Sequence, residues 1–443
     1  MSPAATPWAD LLIVGAGPAG LAAALAAAPS GARIVLLDDN PAPGGQIWRD
    51  GPRAQLPARA RRLREAVLRH ANVQWLRGTR VVALGARTAG ATFSLQLEDA
   101  ERGWVHHSQR LILCTGAREL LLPFPGWTLP GVTGAGGLQA LVKGGLPVAG
   151  ERIVVAGSGP LLLAAAATAR RAGAQVLRIA EQAPLPRVAA FAAGLARWPG
   201  KAVQALGLLH TGYRTASHVL AAHGTGRVQA VRLARGSREE HIACDRLACG
   251  FGLVPNTQLG QLLGCALQAP PAGAGHHPPY GTSGLAVDAL QATSVASLYA
   301  AGECTGFGGS ERALVEGAIA GHAAVGEVAA AHARGAERAR WHAFAGALQR
   351  HFALDRRLAA LAQPDTLVCR CEDVPHAALA ACSGWIDAKL HTRCGMGPCQ
   401  GRVCGAAAQF IYGFTPAPPR HLLSPARIAT LAAADAPDPT PRN

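Results

Sequence analysis

The residues with the plainest capacity for chemistry lie near the C-terminal end: Cys369-Arg-Cys371, then Cys394, Cys399 and Cys404. Six of the 11 cysteines fall within these 36 residues, the five just named and Cys382. The total is odd, and the N-terminus MSPAATPWAD lacks the basic stretch and apolar core of a signal peptide, so a disulfide framework is not expected. Clustered thiolates in a reducing compartment read instead as a metal centre, either zinc or iron–sulfur. A structural zinc site uses chelating pairs with two or more residues between the cysteines. The single-residue gap of Cys369-Arg-Cys371 better suits two ligands on one iron of a [2Fe-2S] cluster. Cys114, Cys244, Cys249, Cys265, Cys304 and Cys382 are scattered and read as buried apolar residues.

A second constellation opens the chain at Gly15-Ala-Gly17-Pro18-Ala19-Gly20. The first glycine allows a tight turn, the second lets backbone approach a pyrophosphate, and the third lets a helix close on a strand. The helix N-terminus adds the positive end of its dipole. The elements needed to position this turn are present. Leu11–Val14 is a continuous apolar run, as in a parallel strand covered on both faces, and Leu21–Ala28 is Ala-rich helix former. A second strand, Arg33–Leu37, ends on Asp38, 18 positions after Gly20, where a carboxylate binds a ribose hydroxyl. Asp39 follows, and the turn-rich DNPAPGGQIW brings Gly44, Gly45 and Gln46 where backbone can again approach a cofactor.

Downstream, Leu56–His70 reads as an Arg-rich amphipathic helix, followed by strands at Val73–Leu76, Arg80–Leu84, Thr92–Leu97, Trp104–His107 and Arg110–Thr115. The last runs into Thr115-Gly116-Ala117, and a Pro/Gly loop over Pro123–Gly131 looks like a domain crossing. Residues Glu151–Ala180 repeat the opening plan: strand Arg152–Ala156, turn Gly157-Ser-Gly159-Pro-Leu-Leu162, helix Leu161–Arg171 and strand Gln175–Ile179 ending near Glu181. Leu162 stands where the third glycine belongs and pushes helix and strand apart, leaving a nicotinamide site and a vestigial unit as alternatives. This unit ends at Cys249–Asn256, and a Pro/Gly/His loop follows, in which His276 and His277 read as surface residues. Strands Leu285–Asp288 and Leu298–Ala301 lead to Gly302-Glu303, where a carboxylate can take a ribityl hydroxyl, and then to a helix over Arg312–His332.

Composition narrows the classes. At 443 residues, 49% hydrophobic and 16% charged, the chain is globular with room for two or three domains. The apolar runs Leu11–Ala28 and Ile153–Ala169 are each split by Gly and Pro, so no membrane span is expected. The net charge is +15, and only Lys143, Lys201 and Lys389 of the 42 basic residues are lysines. The arginines are scattered with no alternation against aromatics, so nucleic acid is not an expected partner.

Taken together these segments resemble the two-dinucleotide-binding-domain flavoproteins of the glutathione-reductase type. The resemblance implies an α/β fold with two Rossmann-like domains, FAD on the first glycine turn, and a late Thr293-Ser294…Tyr299-Ala-Ala-Gly302-Glu303 stretch closing over the ribityl chain. It implies FAD contacts at Gly15, Gly17, Pro18, Ala19, Gly20, Asp38, Asp39, Gly45, Gln46, Thr115, Gly116, Ala117, Gly302 and Glu303. No paired-cysteine motif of the disulfide reductases is present. The tail instead resembles the bacterioferritin-associated-ferredoxin type of [2Fe-2S] domain, a small helical unit, which implies Cys369, Cys371, Cys399 and Cys404 as ligands, with Cys394 the competitor.

The whole arrangement, with the crossing loop Pro123–Gln139, resembles the α-type subunits of opine oxidases, D-hydroxyproline dehydrogenase and hydrogen cyanide synthase. The domains implied are a discontinuous FAD domain over 1–117 and 256–335, an inserted NAD-type domain over 118–255, a helical linker over 336–364, a [2Fe-2S] domain over 365–420 and a partly disordered tail over 421–443. The role implied is that of an electron-transfer subunit in a cytoplasmic hetero-oligomer, associated with the inner membrane face through its electron acceptor. A β subunit with its own FAD would oxidise the amine. Further expectations are FMN at the subunit interface and a small [2Fe-2S] γ subunit. Two other readings compete: a self-contained NAD(P)H-dependent FAD/[2Fe-2S] reductase, and a non-catalytic assembly subunit. Leu162 weighs against the reductase, and the lack of a paired Arg cluster after Ile179 against NADPH in particular.

Overall fold

The computed structural model describes residues 8–54, 56–86, 90–269, 283–415 and 417–432. His276, His277 and the stretch 433–443 lie outside the described residues.

Strand β1 (Trp8–Val14) feeds helix α1 (Pro18–Ala27), which returns to β2 (Ile34–Asp38). Helix α2 (Ala58–Leu68) leads to β3 (Val73–Arg77), then β4 (Arg80–Leu84), β5 (Phe93–Glu98) and β6 (Gly103–Leu113). They form one sheet in the order β3-β2-β1-β6-β5-β4. Every residue of β2 and all of Leu11–Val14 are buried, as expected of parallel strands covered on both faces. The sequence suggests two strands, 104–107 and 110–115, where the structure has the single 11-residue β6. The break at Ser108 is absent because both halves find partners: the first pairs antiparallel with β5, the second parallel with β1.

The chain leaves this unit through β7 (Ala117–Glu119) and enters β8 (Val132–Gly134), α3 (Ala135–Lys143), β9 (Arg152–Gly157), α4 (Leu161–Arg171) and β10 (Gln175–Glu181). Helices α5 (Leu185–Gly194) and α6 (Pro199–Leu206) precede β11 (Tyr213–Arg214). An antiparallel sheet of β12 (Ser217–His223), β13 (Ala230–Arg235) and β14 (Arg238–Ala243) comes before β15 (Arg246–Gly250). Strands β11-β10-β9-β15-β8 form a second, fully parallel sheet. Strand β16 (Leu253–Pro255) then pairs antiparallel with β7, so the exit and the return lie side by side.

After α7 (Gln258–Leu262), β17 (Leu298–Ala300) rejoins the first sheet, parallel to the end of β6. Among the described residues the expected strand at 285–288 reduces to one bridge, Leu267 to Leu285. Helix α8 (Gly309–Ala324) lies on α1 at very short range: a Cβ on Gly317 would sit 2.1 Å from the Ala19 carbonyl oxygen, and one on Gly321 2.3 Å from that of Ala23. Glycine facing alanine is what permits this approach, and it explains why α1 is Ala-rich and buried all round. The single helix expected over 312–332 is broken into α8 and α9 (Val328–Ala333), with Gly326 left-handed between them.

Helix α10 (Gly335–His351) crosses to the second unit, where Trp341 and Phe344 pack with Phe191 and Trp198. The remainder comprises β18 (Leu367–Cys369), β19 (Val374–Pro375), α11 (His376–Ala380), α12 (Trp385–Thr392) and α13 (Cys404–Tyr412), around a core of Val368, Leu379, Trp385, Ala388 and Phe414. Helix α14 (Ile428–Ala432) docks back on the first sheet through Thr430, whose hydroxyl donates to Glu98. No helix among the described residues is long and apolar enough to cross a membrane.

Candidate cofactor and metal centre

The first glycine turn sits at the C-terminal edge of the first sheet, between β1 and α1, the location where open α/β sheets bind ligands. Gly15 adopts a φ of 105°, and a Cβ there would lie 2.2 Å from the Cys114 carbonyl oxygen. A Cβ on Gly20 would lie 1.8 Å from the Gly15 carbonyl oxygen, so the third glycine is sterically required. Asp38 closes β2, with Oδ2 accepting from the Ala16 N–H at 2.6 Å and Oδ1 from Asn40. Its Oδ2 keeps a further acceptor site.

Of the other expected contacts, the structure brings Gly45 and Gly302 against this turn. A Cβ on Gly45 would be 3.0 Å from the Gly17 Cα, and one on Gly302 2.9 Å from the Ala19 Cβ. Thr115 follows Cys114, which is hydrogen-bonded to Val14, and its hydroxyl donates to the Asn256 carbonyl at 2.6 Å. Asp39 and Gln46 are exposed, with Gln46 accepting from Arg49. Glu303 follows Gly302 on the loop after β17, and burial pushes its carboxyl up from the usual range. Among the described residues Glu303 makes no side-chain hydrogen bond, and no protein group accepts from the Gly17 N–H. A free turn N–H, a backbone cradle that a Cβ would fill and an unpaired carboxylate fit the pyrophosphate and hydroxyls of FAD.

Sequence reasoning missed the group that fixes the Gly302 loop. Glu316, on α8 and fully buried, accepts from the Gly302 N–H at 2.9 Å, the Thr305 hydroxyl at 3.0 Å, Arg312 Nε at 2.7 Å and His342 Nε2 at 2.8 Å. Burial pushes its carboxyl up, but the His342 hydrogen bond and the Arg312 charge outweigh it and hold the pKa below the ordinary range. The i,i+4 spacing of Arg312 and Glu316 is a visible signal, but it reads equally as a surface pair.

The five cysteines gather at the other side of the crossover. The Sγ atoms of Cys369, Cys394 and Cys404 lie within 4.8 Å of one another, all three residues buried. Cys399 interacts with both Cys404 and Cys371, and Cys371 is the exposed member. Cys394, the competitor in the sequence, is therefore inside the group. The thiols of Cys394 and Cys404 and the N–H groups of Gly395 and Glu372 hydrogen-bond Cys369 and hold it well below the usual thiol range. Cys399 is drawn down to about 5, chiefly by Cys404, while Cys394 is pushed up to about 12 by Cys369. The loops reach this convergence through left-handed residues at Asp373, Arg393 and Gln400, and Gly395 and Gly401 pack on the Trp385 ring. The donor set, soft thiolates only, suits zinc or iron–sulfur. Of the other six cysteines, Cys382 is half-buried and the rest are buried.

One contact joins the two regions. Arg118, next to Ala117, donates from Nε to the Arg402 carbonyl at 2.9 Å and from Nη1 to Asn256 Oδ1 at 2.9 Å.

Comparison with known proteins agrees with this architecture. A family model described as pyridine nucleotide-disulphide oxidoreductase matches residues 9–335. The chain is 33% identical to the A subunit of opine oxidase from Rhizobium meliloti (strain 1021) over 429 residues, covering 89% of this chain and 90% of that one. It is 32% identical to hydrogen cyanide synthase subunit HcnB of Pseudomonas aeruginosa, covering 89% and 90% respectively. Among solved structures, L-proline dehydrogenase from P. horikoshii superposes with a TM-score of 0.66 at 18% identity, over 96% of this chain and 79% of that one. Thioredoxin reductase from T. acidophilum gives 0.54 at 22% identity, over 73% and 99%.

Proposed function

The chain belongs to the pyridine nucleotide-disulphide oxidoreductase family, in the group of the opine oxidase A subunit and hydrogen cyanide synthase HcnB, and from that premise we propose that it is the electron-transfer flavoprotein and iron–sulfur subunit of a multi-subunit amine or amino-acid dehydrogenase of the D-hydroxyproline, opine or glycine type. It is an oxidoreductase with a flavoprotein fold. The observation that carries the proposal is the Arg118–Arg402 contact, which fastens the thiol loop to the segment immediately after Thr115–Ala117.

In this reading residues 1–117 and 256–335 form the FAD domain, 118–255 the insert, 336–364 the linker and 365–420 the cluster domain. The Gly17 N–H and the start of α1 take the pyrophosphate, Asp38 a ribose hydroxyl, and Glu303 the ribityl chain, with Gly45 and Gly116 leaving room for backbone approach. Cys369, Cys371, Cys399 and Cys404 hold the cluster. FAD, which exchanges one or two electrons, and a [2Fe-2S] cluster, which exchanges one, supply the conversion of two-electron oxidation into single-electron traffic. Arg118 and Asn256 keep the two centres in register. The partner would be a β subunit that carries the amine-oxidising FAD, with FMN at the interface and a small [2Fe-2S] γ subunit completing a cytoplasmic complex that delivers electrons toward a respiratory acceptor.

The test is the visible spectrum of the chain purified with the subunits encoded beside it, before and after adding D-hydroxyproline, octopine or glycine and, separately, NADH. Bleaching by one of the amines supports the proposal and identifies the substrate class. Bleaching by NADH alone replaces it with a self-contained reductase.

A further inference from the structure

The second glycine turn differs from the first in what already occupies it. Here Gly159 stands where Gly17 stands in the first turn, and its N–H donates to Glu181 Oε2 at 2.7 Å, so the group that would meet a phosphate is satisfied from within. Helix α4 starts only at Leu161, whereas α1 starts at Pro18, directly after the second glycine. The position is filled by the chain itself. The Ser158 hydroxyl donates to the Phe352 carbonyl at 2.9 Å. The Gln182 amide donates to the Ala353 carbonyl at 3.0 Å and accepts from the Asp355 N–H at 3.1 Å. A Cβ on Gly159 would lie 3.7 Å from Phe352, whose ring meets Phe191 edge-on at 5.0 Å. Three main-chain groups of residues 352–355 are thus read by the two polar side chains that flank the turn.

We infer that the second glycine turn is closed to pyridine nucleotides and serves as the socket for segment 352–355, which leads from α10 into the cysteine-bearing region. A dinucleotide could enter only by displacing Phe352 and its neighbours, along with the hydrogen bonds to Ser158 and Gln182. Both features that elsewhere make a nucleotide cradle, an approachable glycine and polar side chains around it, are used here to hold the chain's own backbone. The socket stands whether or not the chain relays electrons.

It is tested on the intact, cofactor-loaded protein without turnover. Titration with NADH and with NADPH, followed by nucleotide fluorescence, is expected to show no saturable binding up to millimolar concentration. Saturable binding in the micromolar range overturns the inference, whatever the amine assay gives. Hydrogen exchange on the Ser158→Ala/Gln182→Ala double variant supplies the second readout: amides of residues 352–355 are expected to exchange about tenfold faster or more than in the parent. Unchanged exchange in a folded variant likewise overturns the socket, and the nucleotide titration needs no variant at all.

Discussion

Arg118 Nε lies 2.9 Å from the carbonyl oxygen of Arg402, so a side chain from the strand that leaves the flavin unit holds the backbone between Cys399 and Cys404. The same guanidinium reaches Asn256 Oδ1 at 2.9 Å, at the point where the chain returns. Exit, return and thiol loop therefore meet on one cation. Replacing Arg118 by Met should cost roughly 1–3 kcal/mol, since charge-assisted hydrogen bonds are lost and their acceptors left half-buried. FAD content should stay that of the parent, while amine-driven reduction of an external dye slows. A thermal melt, a flavin assay and a steady-state rate check the three parts separately.

The cysteine group contains five thiols where a [2Fe-2S] cluster takes four. Single Ser substitutions at Cys369, Cys371, Cys399 and Cys404 should each abolish bound iron and acid-labile sulfide, with FAD retained. Cys394→Ser should keep both. Loss of iron on Cys394→Ser together with retention on Cys371→Ser would move the ligand set onto the three buried cysteines and Cys399.

Glu316 is a buried acceptor for four donors from three elements. Glu316→Ala leaves Arg312 buried without its partner and should cost about 3–5 kcal/mol. It should also weaken FAD retention, since the Gly302 N–H is no longer held. The carboxyl lies below its ordinary range in the folded chain, so its contribution is present above the unfolded value of about 4.3 and is lost as pH falls through the folded value. Acid unfolding followed by circular dichroism should show a less steep pH dependence below pH 4.3 in Glu316→Gln than in the parent.

Glu181 behaves in the opposite sense. Burial pushes its carboxyl up to about 7, against the pull of the N–H groups of Ala183 and Gly159. Between the ordinary value of about 4.3 and about 7 the folded chain holds a proton that the unfolded chain has released. Stability is therefore full below this window and falls as pH rises through it, by on the order of 3 kcal/mol. Glu181→Gln should melt above the parent at pH 8, with the difference shrinking at pH 5.

Gly20→Ala places a methyl 1.8 Å from the Gly15 carbonyl. The helix must shift away from the strand, so a loss of about 1–3 kcal/mol and FAD-depleted protein are expected. Flavin absorbance per chain and the melting temperature of the purified variant measure both.

By itself the sequence determined the local units. Leu11–Gly20 and Arg152–Leu162 announce strand, turn and helix because the apolar run, the glycines and the Ala-rich stretch are consecutive in the chain, and each acts within a few residues. That Cys369 belongs with later cysteines was legible through residue type and spacing, but that Cys394 joins Cys369 and Cys404 in the buried group was not. What only the tertiary structure decided depends on distant partners. Helix α8 carries Glu316 to Gly302 because Gly317 and Gly321 let it sink onto α1, and no local pattern marks which face of that helix is buried. Strand β6 continues through Ser108 because its two halves have different neighbours. The fate of the second turn lay 194 residues from Ser158, in Phe352: a glycine turn has a fixed shape, but whether it faces a ligand or the protein's own backbone depends on where the rest of the chain packs.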